Sequence, residues 1–102
     1  MKYRALPRFD ADYKKLTTEE RKAFKEALAT FIAACRDFEK DPEGYVWPKR
    51  LRIEKLRGTD IHAMTWSFSG PDGRATFQFE SIDGELCVTW RRVGRHAIYK
   101  QP

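Results

Sequence analysis

Between positions 91 and 100 the chain carries Arg91, Arg92, Arg95 and Lys100 together with one imidazole, His96, and one phenol, Tyr99. A packed core has no use for that collection. Guanidinium groups grip a phosphate and stabilise charge that builds on it, and an imidazole moves a proton near neutral pH. A tyrosine stacks on a base or donates a hydrogen bond to a phosphate. The three-residue step from His96 to Tyr99 puts them on one side of a helical turn, or on opposite faces of a strand. The plainer role for both is to cap and cover the last strand. Upstream, Gly73-Arg74-Ala75-Thr76-Phe77 places another arginine at the start of a strand. There it could hold a phosphodiester bidentately, or simply form a surface ion pair with Glu80 or Glu54.

The stretch Lys49-Arg50-Leu51-Arg52-Ile53-Glu54-Lys55-Leu56-Arg57 alternates cations with apolar residues. As a strand it would line a nucleic-acid groove and add salt-dependent, sequence-blind affinity, or protect a sheet edge from aggregation. Lys49, Arg50, Arg52, Lys55 and Arg91 are therefore candidate RNA contacts. Tyr45 and Trp47, just before this stretch, could stack on bases or anchor the core. His62 shares parity with Met64 and Trp66, so it belongs to the core side or its rim and reads as structural. No phosphate-binding glycine loop, zinc-hydrolase signature or serine-triad spacing is present. No paired carboxylates suggest a magnesium site, so no metal or cofactor is implied. Phosphodiester cleavage by such residues would be confined to RNA, whose 2′-hydroxyl is an internal nucleophile.

These residues need a scaffold, and 102 residues with a net charge of +5 suffice for one domain, 1–102. The charge is uneven: ten Lys/Arg face six Asp/Glu over 45–102, against five and six over 18–41. One polyanion-facing side is expected. The N-terminus is charged and lacks an apolar run, and nothing resembles a membrane span. Cys35 and Cys87 are widely separated. The chain therefore reads as cytoplasmic, its thiols reduced.

A short extended segment over 5–9 is expected to open the chain. Thr17 and Glu20 form a capping-box pair. Phe24, Ala27, Leu28, Phe31, Cys35 and Phe38 then recur at helical spacing. That helix should run to about Asp41, with a possible break near Arg36. After Pro48 the period becomes two, with strands over 50–57, 61–68, 74–80 and 86–93. Turns at Gly58-Thr59-Asp60, Gly70-Pro71-Asp72-Gly73 and Asp83-Gly84 join them. The result is an α+β domain: an N-terminal strand and a long helix, or helical hairpin, on one face of a mainly antiparallel four- to five-stranded sheet. Parity sends Met64, Trp66, Phe68, Ala75, Phe77, Phe79, Val88 and Trp90 to the helix. Ala63, Thr65, Ser67, Arg74, Thr76, Gln78, Cys87, Thr89 and Arg91 take the other face, which reads as a shallow anion-binding dish.

The local words, in order, resemble the RelE/ParE superfamily of bacterial type II toxins. Leu51-Arg52-Ile53-Glu54-Lys55-Leu56-Arg57-Gly58, the strand at 61–66, Gly73-Arg74-Ala75-Thr76-Phe77 and Val93-Gly94-Arg95-His96-Ala97-Ile98-Tyr99 are similar to its successive segments. The resemblance implies a cytoplasmic toxin held by a cognate antitoxin. RelE-type members cut mRNA on the ribosome without metal, through 2′-hydroxyl attack that leaves a cyclic phosphate. ParE-type members share the fold but poison gyrase. A third expectation is a basic RNA-binding module of the same fold without toxicity. The resemblance to the nucleases puts Arg74 at the phosphate-binding arginine, and Arg95 is expected to join it in stabilising the charged phosphorane. It puts His96 at a basic residue that assists the leaving group, and Tyr99 at the base-stacking tyrosine. The two lysines of RelE, one of them the general base, fall on Ala63 and Thr65. His96 or Glu54 would then have to serve as the base.

Overall fold

Thr17 is the N-cap of the long helix: its hydroxyl accepts from Glu20 N at 3.1 Å, and Glu20 Oε1 accepts from Thr17 N at 2.9 Å. A computed structural model of the chain describes residues 1–67 and 72–102. The chain runs through strand β1 (Lys2–Ala5), helices α1 (Pro7–Lys15) and α2 (Thr18–Lys40), and a 3₁₀ turn at Lys49–Leu51. Strands β2 (Glu54–Lys55), β3 (His62–Trp66), β4 (Gly73–Ile82) and β5 (Glu85–Gly94) follow, then a 3₁₀ helix at His96–Lys100. The sheet order is β1-β5-β4-β3-β2, antiparallel except that β1 lies parallel to β5. Among the described residues, no helix is long and apolar enough to cross a membrane.

Several local expectations are corrected. The segment at 5–9 is not extended through, because Pro7 occupies the first turn of α1, where its missing N–H costs nothing. The hairpin break falls at Leu16-Thr17, and α2 passes Arg36 without interruption. The strand expected over 50–57 shrinks to two residues, because Lys49–Leu51 coil into a 3₁₀ turn and Arg52 adopts a left-handed conformation at φ 43°. Arg50 and Arg52 therefore do not share a strand face. The turn at Asp83-Gly84 has positive φ at both residues, as a tight two-residue hairpin demands. Phe68 and the Gly70-Pro71 half of the preceding turn lie outside the described residues.

The core forms where α2 meets the sheet. Phe31 is fully buried, with ring centroids 5.0 Å from Phe77, 5.2 Å from Trp90 and 5.5 Å from Trp47. Met64, Trp66, Ala75, Phe77, Val88 and Trp90 join the same cluster, as parity requires, with Phe79 packed at its margin. Trp47 is a core anchor: it also stacks on Phe38 and Phe79, and Tyr45 meets it edge-on at 4.9 Å.

Parity breaks in β5. Thr76 opposes Arg92 but Phe77 opposes Trp90, so Arg91 is an extra residue in a β-bulge. Trp90 and Val93 consequently both belong to the core. The second sheet face is also not an open dish. Ala63, Thr65, Thr76, Cys87 and Thr89 are all buried there. Long side chains lie across them: Arg4 Nε donates to Thr89 at 2.9 Å, Arg74 Nη1 to Thr65 at 3.3 Å, and Arg91 Nη1 to Gln78 at 2.7 Å.

Phe31→Ala is expected to cost about 3–5 kcal/mol, the range for emptying a buried aromatic site. Thr17→Ala, which removes only the cap, should cost about 1 kcal/mol. Urea unfolding of both variants would check that ranking.

Candidate active site

Arg74 starts on the second residue of β4, opposite Thr65 of β3 and Gly94 of β5. Its Nη1 donates to Thr65 Oγ1 and to Tyr99 Oη, each at 3.3 Å, and its Cζ lies 5.1 Å from the centre of the Tyr99 ring. Its Nε is buried with no hydrogen-bond partner. No carboxylate pairs with Arg74 among the described residues, so the alternative of an ion pair with Glu80 or Glu54 is not formed; Glu80 is taken by Arg4 at 3.0 Å. A half-buried guanidinium held only by hydroxyls keeps its full charge available to an anion.

Tyr99 reaches Arg74 because residues 96–100 form a helical turn and not a strand. The buried Ile98 pins that turn. Its Cγ2 sits where a Cβ on Gly94 would meet it at 3.0 Å, a tight contact that the small residue at 94 avoids. His96 and Tyr99 share one side of the turn, their rings edge-to-face at 5.3 Å. His96 is exposed and Tyr99 half-buried. Tyr99 Oη accepts from Arg74, which leaves its own O–H to donate outward. The three side chains thus form a continuous row of cation, phenol and imidazole.

The other candidates are placed differently. Arg95, at the N-cap of the same turn, donates to Glu20 Oε2 at 2.6 Å. Glu20 is held below the ordinary carboxylate range first by the Thr17 N–H and then by the Arg95 charge. Arg50 reaches Thr30 of α2 at 2.9 Å, Arg52 pairs with Asp72 at 3.0 Å, and Lys55 is 3.8 Å from Asp60. These three and Lys49 are exposed, and Arg52 is paired to Asp72 two residues along the chain from Arg74. Arg91 does lie on the Arg74 face, through Gln78. Ala63 and Thr65 are buried on that face and offer no group that exchanges a proton. Glu54 pairs in register with Ala63 and so shares the face, at the sheet edge.

Sequence reading missed two supports. Thr65 as the partner of Arg74 follows from the hairpin register, which residue counting alone left undetermined. Asp12 of α1 accepts Arg92 Nε at 2.6 Å, Arg92 Nη2 at 3.1 Å and Val93 N at 3.2 Å, and so fixes the bulge. No signal in the sequence marks it. Among the described residues, no group of three or more His, Cys, Asp or Glu lies together as a metal site.

No protein-family model matches the chain, and no curated protein matches it either. Solved structures do. A chain of the intact E. coli RelBE toxin–antitoxin complex superposes with a TM-score of 0.53 at 20% identity, over 92% of this chain and 94% of that one. The YoeB/ParE toxin from Agrobacterium tumefaciens superposes with a TM-score of 0.53 at 12% identity, over 94% and 99%. The fold is therefore that of the RelE/ParE-like toxins, as the local words suggested.

His62, at the far end of β3, stacks on Phe77 at 5.5 Å and meets Phe79 edge-on at 5.3 Å, the structural place expected for it. Burial and then the Lys55 charge hold its imidazole below the usual value of 6.5. The fold thus favours the neutral ring. Its contribution is complete above pH about 6.5 and declines as pH falls through the lower folded-state value. The urea midpoint of the parent should drop more between pH 7.5 and pH 5 than that of His62→Phe. Equal drops would contradict this account.

Proposed function

We propose that this protein is the toxin of a type II toxin–antitoxin pair and acts as an endoribonuclease on ribosome-bound mRNA. The observation that carries the reading is the Arg74–Tyr99–His96 row on a RelE/ParE-like fold, with no carboxylate on Arg74 among the described residues. A phosphodiester seated on Arg74 would lie within reach of the Tyr99 hydroxyl, with the imidazole beside it. The substrate 2′-hydroxyl attacks phosphorus and the P–O5′ bond breaks, giving a 2′,3′-cyclic phosphate and a free 5′-hydroxyl. One proton leaves the 2′-oxygen and one reaches the 5′-oxygen, so a single imidazole can take the first and deliver the second. Arg74 stabilises the charge on the phosphorane, with Arg95 joining once it exchanges Glu20 for phosphate. No metal or cofactor enters this scheme. Tyr99 orients the base, and the exposed Lys49, Arg50, Arg52 and Lys55 make salt-dependent contacts to ribosomal RNA. The partners are a cognate antitoxin, on the pattern of the RelBE complex, and the translating ribosome, which places the action in the cytoplasm.

A second reading, a ParE-type inhibitor of gyrase, is favoured by the buried Ala63 and Thr65 and by the engagement of Arg95 with Glu20. Induced expression in a bacterial host with mapping of RNA 5′ ends separates the two. In-frame cuts in translated mRNA are expected from the parent. His96→Ala should lose about 10²–10⁴ in rate, the usual worth of a positioned proton-transfer group, and Arg74→Ala should abolish the cuts. Growth arrest with intact mRNA and DNA-damage signalling would move the assignment to gyrase. No arrest at all would leave a binding module.

A further inference from the structure

Along the face of β4 that carries Arg74 and Thr76, the next residues are Gln78 and Glu80, about 7 Å apart at about 3.4 Å per residue. Both are half-buried. Gln78 Oε1 accepts from Arg91 Nη1 at 2.7 Å. A guanidinium has donors only, so the carboxamide must turn its oxygen to Arg91. Its amino group then keeps its N–H donors, which meet no acceptor among the described residues. Arg91 Nε is bonded in turn to the Pro102 oxygen at 3.0 Å, so the guanidinium that orients the amide is itself fixed. Glu80 offers the opposite polarity. The Thr89 hydroxyl and then Arg4 hold its carboxyl below the ordinary carboxylate range. Arg4 Nη2 donates to Glu80 Oε2 at 3.0 Å and Arg4 Nε to Thr89 at 2.9 Å. These contacts use part of the lone-pair capacity of the carboxylate, and the rest accepts further donors.

We infer that Gln78 and Glu80 form a base-reading edge, selective for guanine, for the single-stranded RNA whose phosphate sits on Arg74. The inference rests on the RNA reading above and names the base that the strand must carry. A donor beside a carboxylate calls for a base with a carbonyl oxygen beside N–H groups. On the Watson–Crick edge of guanine, O6 takes the Gln78 amino group while N1–H and N2–H meet the Glu80 carboxylate. Uracil matches O4 and N3–H but then sets its second carbonyl against the carboxylate. Adenine and cytosine bring an amino group to an amino group and a ring-nitrogen lone pair to a carboxylate. A site built for hydrogen bonds rejects a base that cannot make them. Arg4 answers the charge of Glu80, so the carboxylate does not repel the strand that it reads. Gln78 lies four residues from Arg74 on the same strand, about 13 Å away at about 3.3 Å per residue. The base read here is therefore a neighbour of the one on Tyr99 and not the same base.

The test is fluorescence anisotropy with a short labelled oligocytidylate that carries one guanosine, inosine, uridine or adenosine at its centre. The parent should bind the guanosine strand about ten-fold tighter than the adenosine strand, within the range for a bidentate base contact. Inosine, which lacks the N2 amino group, should fall between them. Gln78→Glu keeps an acceptor for Arg91 but puts an oxygen where the amino group was. That variant should lose the guanosine preference and bind the adenosine strand at least as well. An unchanged preference in a Gln78→Glu protein that melts like the parent would overturn the inference. Equal affinities of the parent for all four strands, or no binding to any, would overturn it too. If Gln78→Glu does not fold, Gln78→Ala decides: the preference must shrink, and an equal loss on every strand would make the amide a phosphate contact and reject the base reading. Failure of the nuclease reading is distinguishable, because it appears as uncut mRNA in cells and leaves the base preference standing.

Discussion

The structure turns on the carboxylate of Asp12. A β-bulge exposes backbone N–H groups that the ladder no longer satisfies, and Asp12 answers that of Val93 while taking both Nε and Nη2 of Arg92. That pair is mostly buried and doubly hydrogen-bonded, the geometry in which a guanidinium–carboxylate contact outweighs its desolvation. It holds Arg92 protonated beyond its ordinary range. The bulge lets Trp90 and Val93 both enter the core, while Arg91 meets Gln78 and Arg92 meets Asp12. It also sets where β5 ends, and therefore where the helical turn bearing His96 and Tyr99 begins.

The two faces of the sheet differ in kind. On one, aromatic rings from α2, β4 and β5 interlock around Phe31. On the other, threonines, alanine and cysteine are buried beneath arginine side chains, so that face has a polar lid in place of a second apolar layer. Small side chains at those positions are what let the guanidinium groups lie flat. Several cations of the molecule have carboxylate partners: Arg4 with Glu80, Arg52 with Asp72, Arg92 with Asp12 and Arg95 with Glu20. Arg74 differs from these in being held by a threonine and a tyrosine, and this sets it apart chemically from the basic surface around it.

Much of this was legible in the residues. The capping box, the helical stripe and the strict alternation in β3 and β4 are local signals, and each gave its element and its buried face. Strand 50–57 was misread because charge alternation imitates strand periodicity, whereas Leu51 is buried from a 3₁₀ turn and Arg52 turns left-handed. Helix α1 escaped notice because Pro7 reads as a breaker unless it falls at a helix start. The candidate row was found by residue type, but its assembly was not. Whether His96 and Tyr99 shared a side depended on the backbone after Gly94, and the support from Asp12 comes from a contact 80 residues away in sequence, which no local pattern encodes.

The parallel pairing of β1 with β5 has a consequence in time. Arg4 and Thr89, bonded across that seam, are 85 residues apart. The first strand emerges from the ribosome long before its partner is made, and the antiparallel β3–β4–β5 meander has to form first. Residues 2–5 must therefore wait as an unpaired edge. The contact of Arg74 with Tyr99 joins β4 to the turn that follows β5, so it too waits until those two strands have paired.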